Sequence, residues 1–227
     1  MQITEIFKSI QGESTHAGLP CVFVRLTGCN LRCSWCDSEY TFQGGSAMSG
    51  DEIFGEVERL SPEGGLVEIT GGEPMLQERE TIPLMQKLLD AGYTVLLETS
   101  GERPLGQVPK GVIKVVDVKC PHSGAPATFH LENLDSLGLQ DEVKFVLSDR
   151  TDYEFARDFV VRHNLDRKVA AVLFSPAFRK DAAGSRDASH CLLDPALLAE
   201  WILGENTPVR IGLQMHKFIW DPSLKGV

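Results

Sequence analysis

Several features that decide a function class are missing from this sequence. Positive charge is in deficit: 22 Lys and Arg stand against 32 Asp and Glu, a formal net charge of −10. A basic nucleic-acid footprint across the chain is thereby excluded, while a local positive pocket for a small anion is still allowed. No basic segment leads into an apolar stretch at the start, and no long uncharged apolar run occurs anywhere. The expectation is a cytoplasmic protein with neither signal peptide nor membrane partner. The six Cys are unevenly placed in a chain of 227 residues, without the profile of a small disulfide scaffold, which fits a reducing compartment. No internal repeat stands out. With 42% hydrophobic residues the chain can bury a sizeable core, and residues 1–227 read as a single domain.

Half of the cysteines crowd into one loop. Cys29, Cys33 and Cys36 follow a C-x3-C-x2-C spacing within residues 28–38, and no fourth Cys lies close by. A structural zinc site usually closes with four ligands. Three thiolates suit a [4Fe–4S] cluster with one iron left open, which implies chemistry at that iron rather than electron storage. Zinc with a remote fourth ligand is the competing reading. Simple packing of three thiols fits poorly with Asn30, Arg32 and Ser34 interleaved among them.

Short apolar runs alternate with amphipathic stretches. Strands are expected at 21–26, 66–70, 93–98, 112–118, 143–147, 169–174 and 209–215. Capping boxes at Ser49–Glu52 and at 151–154 open helices, Gly92 ends another, and Asp194 with Pro195 starts a fourth. Near-continuous apolar strands alternating with helices predict an α/β fold with a parallel sheet covered by helices. Roughly seven strands in 227 residues fall short of a full barrel, so the expected architecture is a partial, open β/α barrel. Its chemistry belongs at the C-terminal strand ends. Residues 121–140 and 179–189 are weakly patterned, either loops over a site or surface excursions.

Polar motifs stand at those strand ends. Thr70-Gly71-Gly72-Glu73-Pro74 follows one strand, where paired Gly admit a ligand to the backbone, although Gly-Gly ends many strands. Glu98-Thr99-Ser100-Gly101 closes the next and reads equally as a turn. Asp117 and Lys119 end the one after, and Ser175 ends a later one.

The cysteine spacing with Trp35 before its last member, followed by Gly-Gly-Glu-Pro, resembles the radical S-adenosylmethionine (SAM) superfamily, whose fold is a partial barrel of the expected kind. That resemblance implies a [4Fe–4S] cluster whose open iron chelates the amino and carboxylate groups of SAM. It implies that Gly71, Gly72 and Glu73 hold the amino end. Glu98, Ser100, Asp117, Lys119 and Ser175 become further SAM contacts, with Lys119 facing the carboxylate.

Residues 5–14, with Gln11-Gly12-Glu13 at their centre, narrow the resemblance. Together with Arg25, Cys36-Asp37-Ser38 and Gln214-Met215-His216-Lys217, they resemble the 7-carboxy-7-deazaguanine synthase family over nearly the whole chain. The resemblance implies conversion of 6-carboxy-5,6,7,8-tetrahydropterin to 7-carboxy-7-deazaguanine, with ring contraction and loss of ammonia, in queuosine or other 7-deazapurine biosynthesis. SAM is regenerated, hydrogen is abstracted from C6 and returned, and Mg²⁺ assists at Ser38, where the family often has Thr. Ile10, Gln11, Gly12, Glu13, Arg25, Thr70 and His216 become substrate contacts. Arg25 offers a fork for the carboxylate and Glu13 an acceptor for ring and amino N–H groups. A strand-end salt bridge for Arg25 and a structural role for His216 are the plain alternatives. A flavodoxin or ferredoxin as electron donor and a homodimer complete the expectation. The chain also runs past His216-Lys217 to Val227, which leaves open whether Val227 meets the substrate. A glycyl-radical activase is disfavoured by the Gln11-Gly12-Glu13 and Arg25 set, and an iron–sulfur electron carrier by the three-cysteine count.

Overall fold

The computed structural model describes residues 1–180, 188–221 and 224–227. Most of the stretch 179–189, and Pro222, lie outside the described residues. The chain opens with β1 (Gln2–Ile10), which pairs antiparallel with β2 (Pro20–Leu26) and with the two-residue β3 (Ser46–Ala47). From β2 onward every pairing is parallel and sequential, through β4 (Leu66–Gly71), β5 (Thr94–Thr99), β6 (Ile113–Asp117), β7 (Glu142–Leu147), β8 (Ala171–Pro176) and β9 (Arg210–Ile211). The ends, β3 and β9, do not meet. This is the partial, open β/α barrel expected from the pattern.

The seven expected strands are the seven parallel ones, with two differences. Residues 5–10, read as a motif ahead of the first strand, are themselves strand. Phe7 sits opposite Phe23 in the β1–β2 register and stacks on its ring, with centroids 5.1 Å apart. The run 209–215 shrinks to Arg210–Ile211, because the chain then turns inward to bring Gln214 and α6 (His216–Ile219) against the N-terminal loop.

Helices α1 (Gly50–Leu60), α2 (Glu78–Asp90), α3 (Arg150–His163), α4 (Leu165–Lys168) and α5 (Pro195–Glu205) connect the strands. Ser49 and Glu52 form the expected capping box on α1. On α3 the cap is Asp149 rather than Thr151: its carboxylate accepts from Asp152 N at 3.1 Å. Residues 121–140 carry only 3-10 turns. They prop the cysteine loop, since Ser34 N donates to Ser123 O at 2.6 Å. No helix of the described residues is long and apolar enough to cross a membrane.

The strands are less uniformly apolar than their composition suggests. Residues such as Val67, Ile69, Val143 and Phe145 face the helices and join the large core with Val57, Met85, Leu88 and Phe159. Alternate residues face inward. There Cys21, Phe23, Leu66 and Leu96 make a small apolar floor with Phe7 and Ile113. Above it the inward positions turn polar: Arg25, Glu68, Thr70, Glu98, Asp117 and Lys144.

Gly71 joins the two layers. Its φ is +143°, and a Cβ would lie 2.3 Å from Leu26 O. Gly71→Ala is expected to cost about 2 kcal/mol or more, since both the backbone and the neighbouring strand end would have to shift. Urea unfolding of the variant against the parent checks this.

Candidate active site

The C-terminal strand ends enclose a cavity of about 240 Å³. At one side lies the loop 28–38, with Cys29, Cys33 and Cys36 all free, half-buried and on the cavity wall. Burial pushes all three thiols upward, an effect that a bound metal's positive charge reverses. Among the described residues, the trio of His, Cys, Asp or Glu donors within 4.8 Å of one another is His122, Asp149 and Asp152. The three thiols are therefore spread more widely than that. A tetrahedral zinc ion with bonds of ~2.3 Å needs sulfurs only about 3.8 Å apart.

The Gly-Gly pair has a packing reason beyond ligand approach. A Cβ on Gly72 would lie 2.1 Å from Gly28 O and 2.9 Å from Cys29 Cβ. Gly72 N donates to Leu26 O at 3.1 Å, and Glu73 N to Gly28 O at 2.8 Å. Glu73, 1% exposed, does not line the cavity. Its carboxylate accepts from Met75 N, Thr99 Oγ1, Ser100 N and Ser100 Oγ at 2.7–3.0 Å. It ties the end of β4 to the end of β5. Ser175 is also outside this cavity. It lines a neighbouring hollow that shares Glu13 and Lys144 with the first.

Much of the rest of the wall is charged. Lys144, 3% exposed, contacts both Glu13 and Glu98 and lies 3.9 Å from Asp117 Oδ2. Burial works against its charge, but these carboxylates hold its pKa well above the ordinary value. Burial likewise works against ionised Glu13. Lys144, then His216, outweigh it and bring Glu13 down to about 2. Gln214 Nε2 donates to Glu13 Oε1 at 2.8 Å, and Lys217 Nζ to Gln214 Oε1 at 2.9 Å. Lys217 also pairs with Asp37 Oδ2 at 2.7 Å, and Ser38 Oγ donates to Asp37 Oδ1 at 3.0 Å. One hydrogen-bonded belt thus runs from Glu98 to Ser38.

Gln11 is 3% exposed and mostly committed within the protein. Its side chain donates to Glu68 and accepts from Glu13 N at 3.0 Å. Its backbone pairs with Leu19 O and Gly18 N at 2.8 Å. The loop beyond it is anchored across the barrel, where Thr15 N donates to both oxygens of buried Glu142 at 3.0 and 3.1 Å. Gly12 lies against His216, whose Nδ1 would be 2.2 Å from a Cβ there. Burial holds the His216 imidazole below its ordinary pKa. Arg25 Nε donates to Glu5 Oε1 at 2.8 Å, and Tyr40 shares that oxygen at 2.7 Å. Among the described residues the terminal guanidinium nitrogens have no further acceptor. Lys119 pairs with Asp117 Oδ2 at 2.8 Å, while Asp117 Oδ1 is buried without a partner.

The cavity therefore gathers Ile10, Gln11, Gly12, Glu13, Arg25, Ser38, Thr70, Gly71, Gly72, Glu98, Ser100, Asp117, Lys119 and His216 with the three cysteines. Gly226 and Val227 reach it as well. The sequence reading did not include Glu68, Lys144, Asp37, Lys217 or Gln214 as site residues. For the first two a signal existed: a charged residue at an alternate position inside an apolar strand.

Comparisons with known proteins follow the same lines. The profile of the radical SAM superfamily matches residues 23–116. A 7-carboxy-7-deazaguanine synthase of Koribacter versatilis is 66% identical over the full length of both chains. One from Chlorobaculum tepidum is 40% identical over 100% of this chain and 97% of its own. The crystal structure of QueE from Escherichia coli superposes with a TM-score of 0.73 at 24% identity, covering 95% of this chain and 94% of that one, a likeness of fold.

Lys144→Met leaves Glu13 and Glu98 buried without their cation and is expected to cost about 3–5 kcal/mol at pH 7. The pH dependence has a definite sign. Glu13 sits at about 2 in the fold against an ordinary 4.5, so its stabilisation is present above 4.5 and lost as pH falls toward 2. This contribution is on the order of 3 kcal/mol. Denaturant unfolding at pH 7, 4 and 3 should show the loss in the parent and a flatter profile in the variant.

Proposed function

Because the chain belongs to the 7-carboxy-7-deazaguanine synthase family, within the radical SAM superfamily, we propose that it converts 6-carboxy-5,6,7,8-tetrahydropterin to 7-carboxy-7-deazaguanine. Ammonia is lost and the pyrazine ring contracts. The observation that carries this reading is one cavity lined by three free thiols, by ion-paired carboxylates and by Arg25. Cys29, Cys33 and Cys36 would hold a [4Fe–4S] cluster, which would supply the one-electron reducing chemistry that activates SAM.

The chain's own residues then bind and orient. Arg25 has its Nε fixed by Glu5, which leaves its terminal nitrogens as a fork for the substrate carboxylate. Glu13, held ionised by Lys144, accepts from the amino and ring N–H groups. Thr70 adds a hydroxyl, and His216 closes the side next to Gly12 as a neutral ring. Lys119 and the unpartnered oxygen of Asp117 suit the charged amino acid end of SAM. Ser38 donates its proton to Asp37, so its lone pairs point away from that bond, as an Mg²⁺ ligand requires. Substrate oxygens and waters complete such an octahedron. The fixed wall orients the substrate and limits competing radical chemistry.

Reconstituted, reduced protein incubated with SAM and the tetrahydropterin should yield the deazapurine, read by mass spectrometry. A fully loaded cluster that gives no deazapurine would sink the assignment. Arg25→Lys replaces a fork by a point charge and should raise KM for the carboxylated pterin about tenfold, with a smaller change in kcat.

A further inference from the structure

Glu68 occupies a position unlike that of the acids around it. It lies on β4 two residues before Thr70, faces the cavity, and is 3% exposed. Glu13 and Glu98 share Lys144, Asp117 has Lys119, and Asp37 has Lys217. Among the described residues no ammonium or guanidinium reaches Glu68. Its carboxyl is held by the Gln11 side-chain amide and faces the Glu98 carboxylate. Two acids facing one another, one of them almost fully buried, cannot both ionise at low cost. Lys144 pairs with Glu98 and leaves Glu68 without a cation.

We propose that Glu68 is a catalytic acid–base of this site, giving a proton to the nitrogen that departs as ammonia. The inference rests on the tetrahydropterin reading. Expelling an amine from carbon requires that nitrogen to gain a proton as the C–N bond breaks. Closing the aromatic pyrrole requires a ring carbon to lose one. The Glu68 carboxyl gives its proton to the leaving nitrogen, the C–N electron pair departs with it, and NH₃ leaves. The carboxylate so formed takes the ring C–H proton, whose bonding pair completes the aromatic ring. The acid is regenerated, no electron is gained or lost, and no co-reactant is needed.

The surroundings support this role. Burial first, then the Glu98 charge, push the Glu68 carboxyl well above the ordinary carboxylate range. The other titratable groups about it are Glu13, which follows β1, and Cys21 on β2, whose thiol burial also pushes up. Lys144 on β7 spends its contacts on Glu13 and Glu98. A neutral acid near the working pH is the state a proton donor needs.

Hydrogen abstraction and ammonia loss are separately readable, so the test isolates the proposed step. The reconstituted holoenzyme is given SAM and substrate deuterated at C6. Deuterium reaching SAM reports abstraction and return; ammonia reports elimination. Glu68→Gln should keep deuterium transfer within a few-fold and slow ammonia release about 100-fold. Glu68→Asp, which retains an acid, should recover release to within about tenfold. In the parent, release should fall as pH rises and Glu68 loses its proton, while the Gln variant is slow at every pH. Ammonia release at the parental rate in Glu68→Gln overturns the proposal. So does an equal loss of deuterium transfer and ammonia in folded Glu68→Gln and Glu68→Asp, which marks a structural role. Absence of deuterium transfer in the parent overturns the substrate reading itself, and this inference with it.

Discussion

The buried ammonium of Lys144 is the constraint around which the cavity is organised. An open barrel brings inward-facing residues of adjacent strands close together, and here those residues are acids. Without a cation in their midst, Glu13 and Glu98 would repel one another in a region with little water to screen them. With it, the first stays ionised, the second shares the charge, and the belt through Gln214, Lys217 and Asp37 becomes a connected polar wall. A fully connected network of this kind holds side chains in fixed positions before any ligand arrives.

Around the first cysteine the backbone does the organising. Gly71 and Gly72 allow the end of β4 to lie against β2 and the cysteine loop at distances no side chain would permit. Glu73, just beyond, fastens β4 to β5 through four accepted hydrogen bonds. Close backbone approach sets where the thiols stand, and ion pairing sets where the acids stand. The cavity lies between these two differently built walls.

Much of this was legible in the sequence. Seven apolar runs in order foretell seven parallel strands, because a buried parallel strand needs a continuous apolar face toward its helices. The cysteine spacing and the Gly-Gly-Glu-Pro turn foretell where chemistry gathers. β1 was hidden because its residues double as a polar motif, and its inward Phe7 finds a partner only in Phe23. Glu68 and Lys144 were hidden inside runs that read as apolar, since period-two alternation shows which face a residue takes but not who stands across the barrel. The tie made by Glu73 was hidden for a related reason: a motif position names a residue but does not show what its carboxylate holds. The cap of α3 fell on Asp149 because its carboxylate, two residues earlier, accepts from Asp152 N, so the helix begins ahead of Thr151.

The anchoring of the N-terminal loop has a consequence for how the molecule is made. Thr15 is held by Glu142, 127 positions further along, and Glu13 meets Lys144 and Gln214 across separations of 131 and 201. During synthesis the loop that carries Glu13 and Thr15 must wait for more than half of the chain before it meets these partners. Contacts so distant in sequence form late and slowly. The ion pair of Glu13 therefore belongs among the slowest contacts of the fold to close.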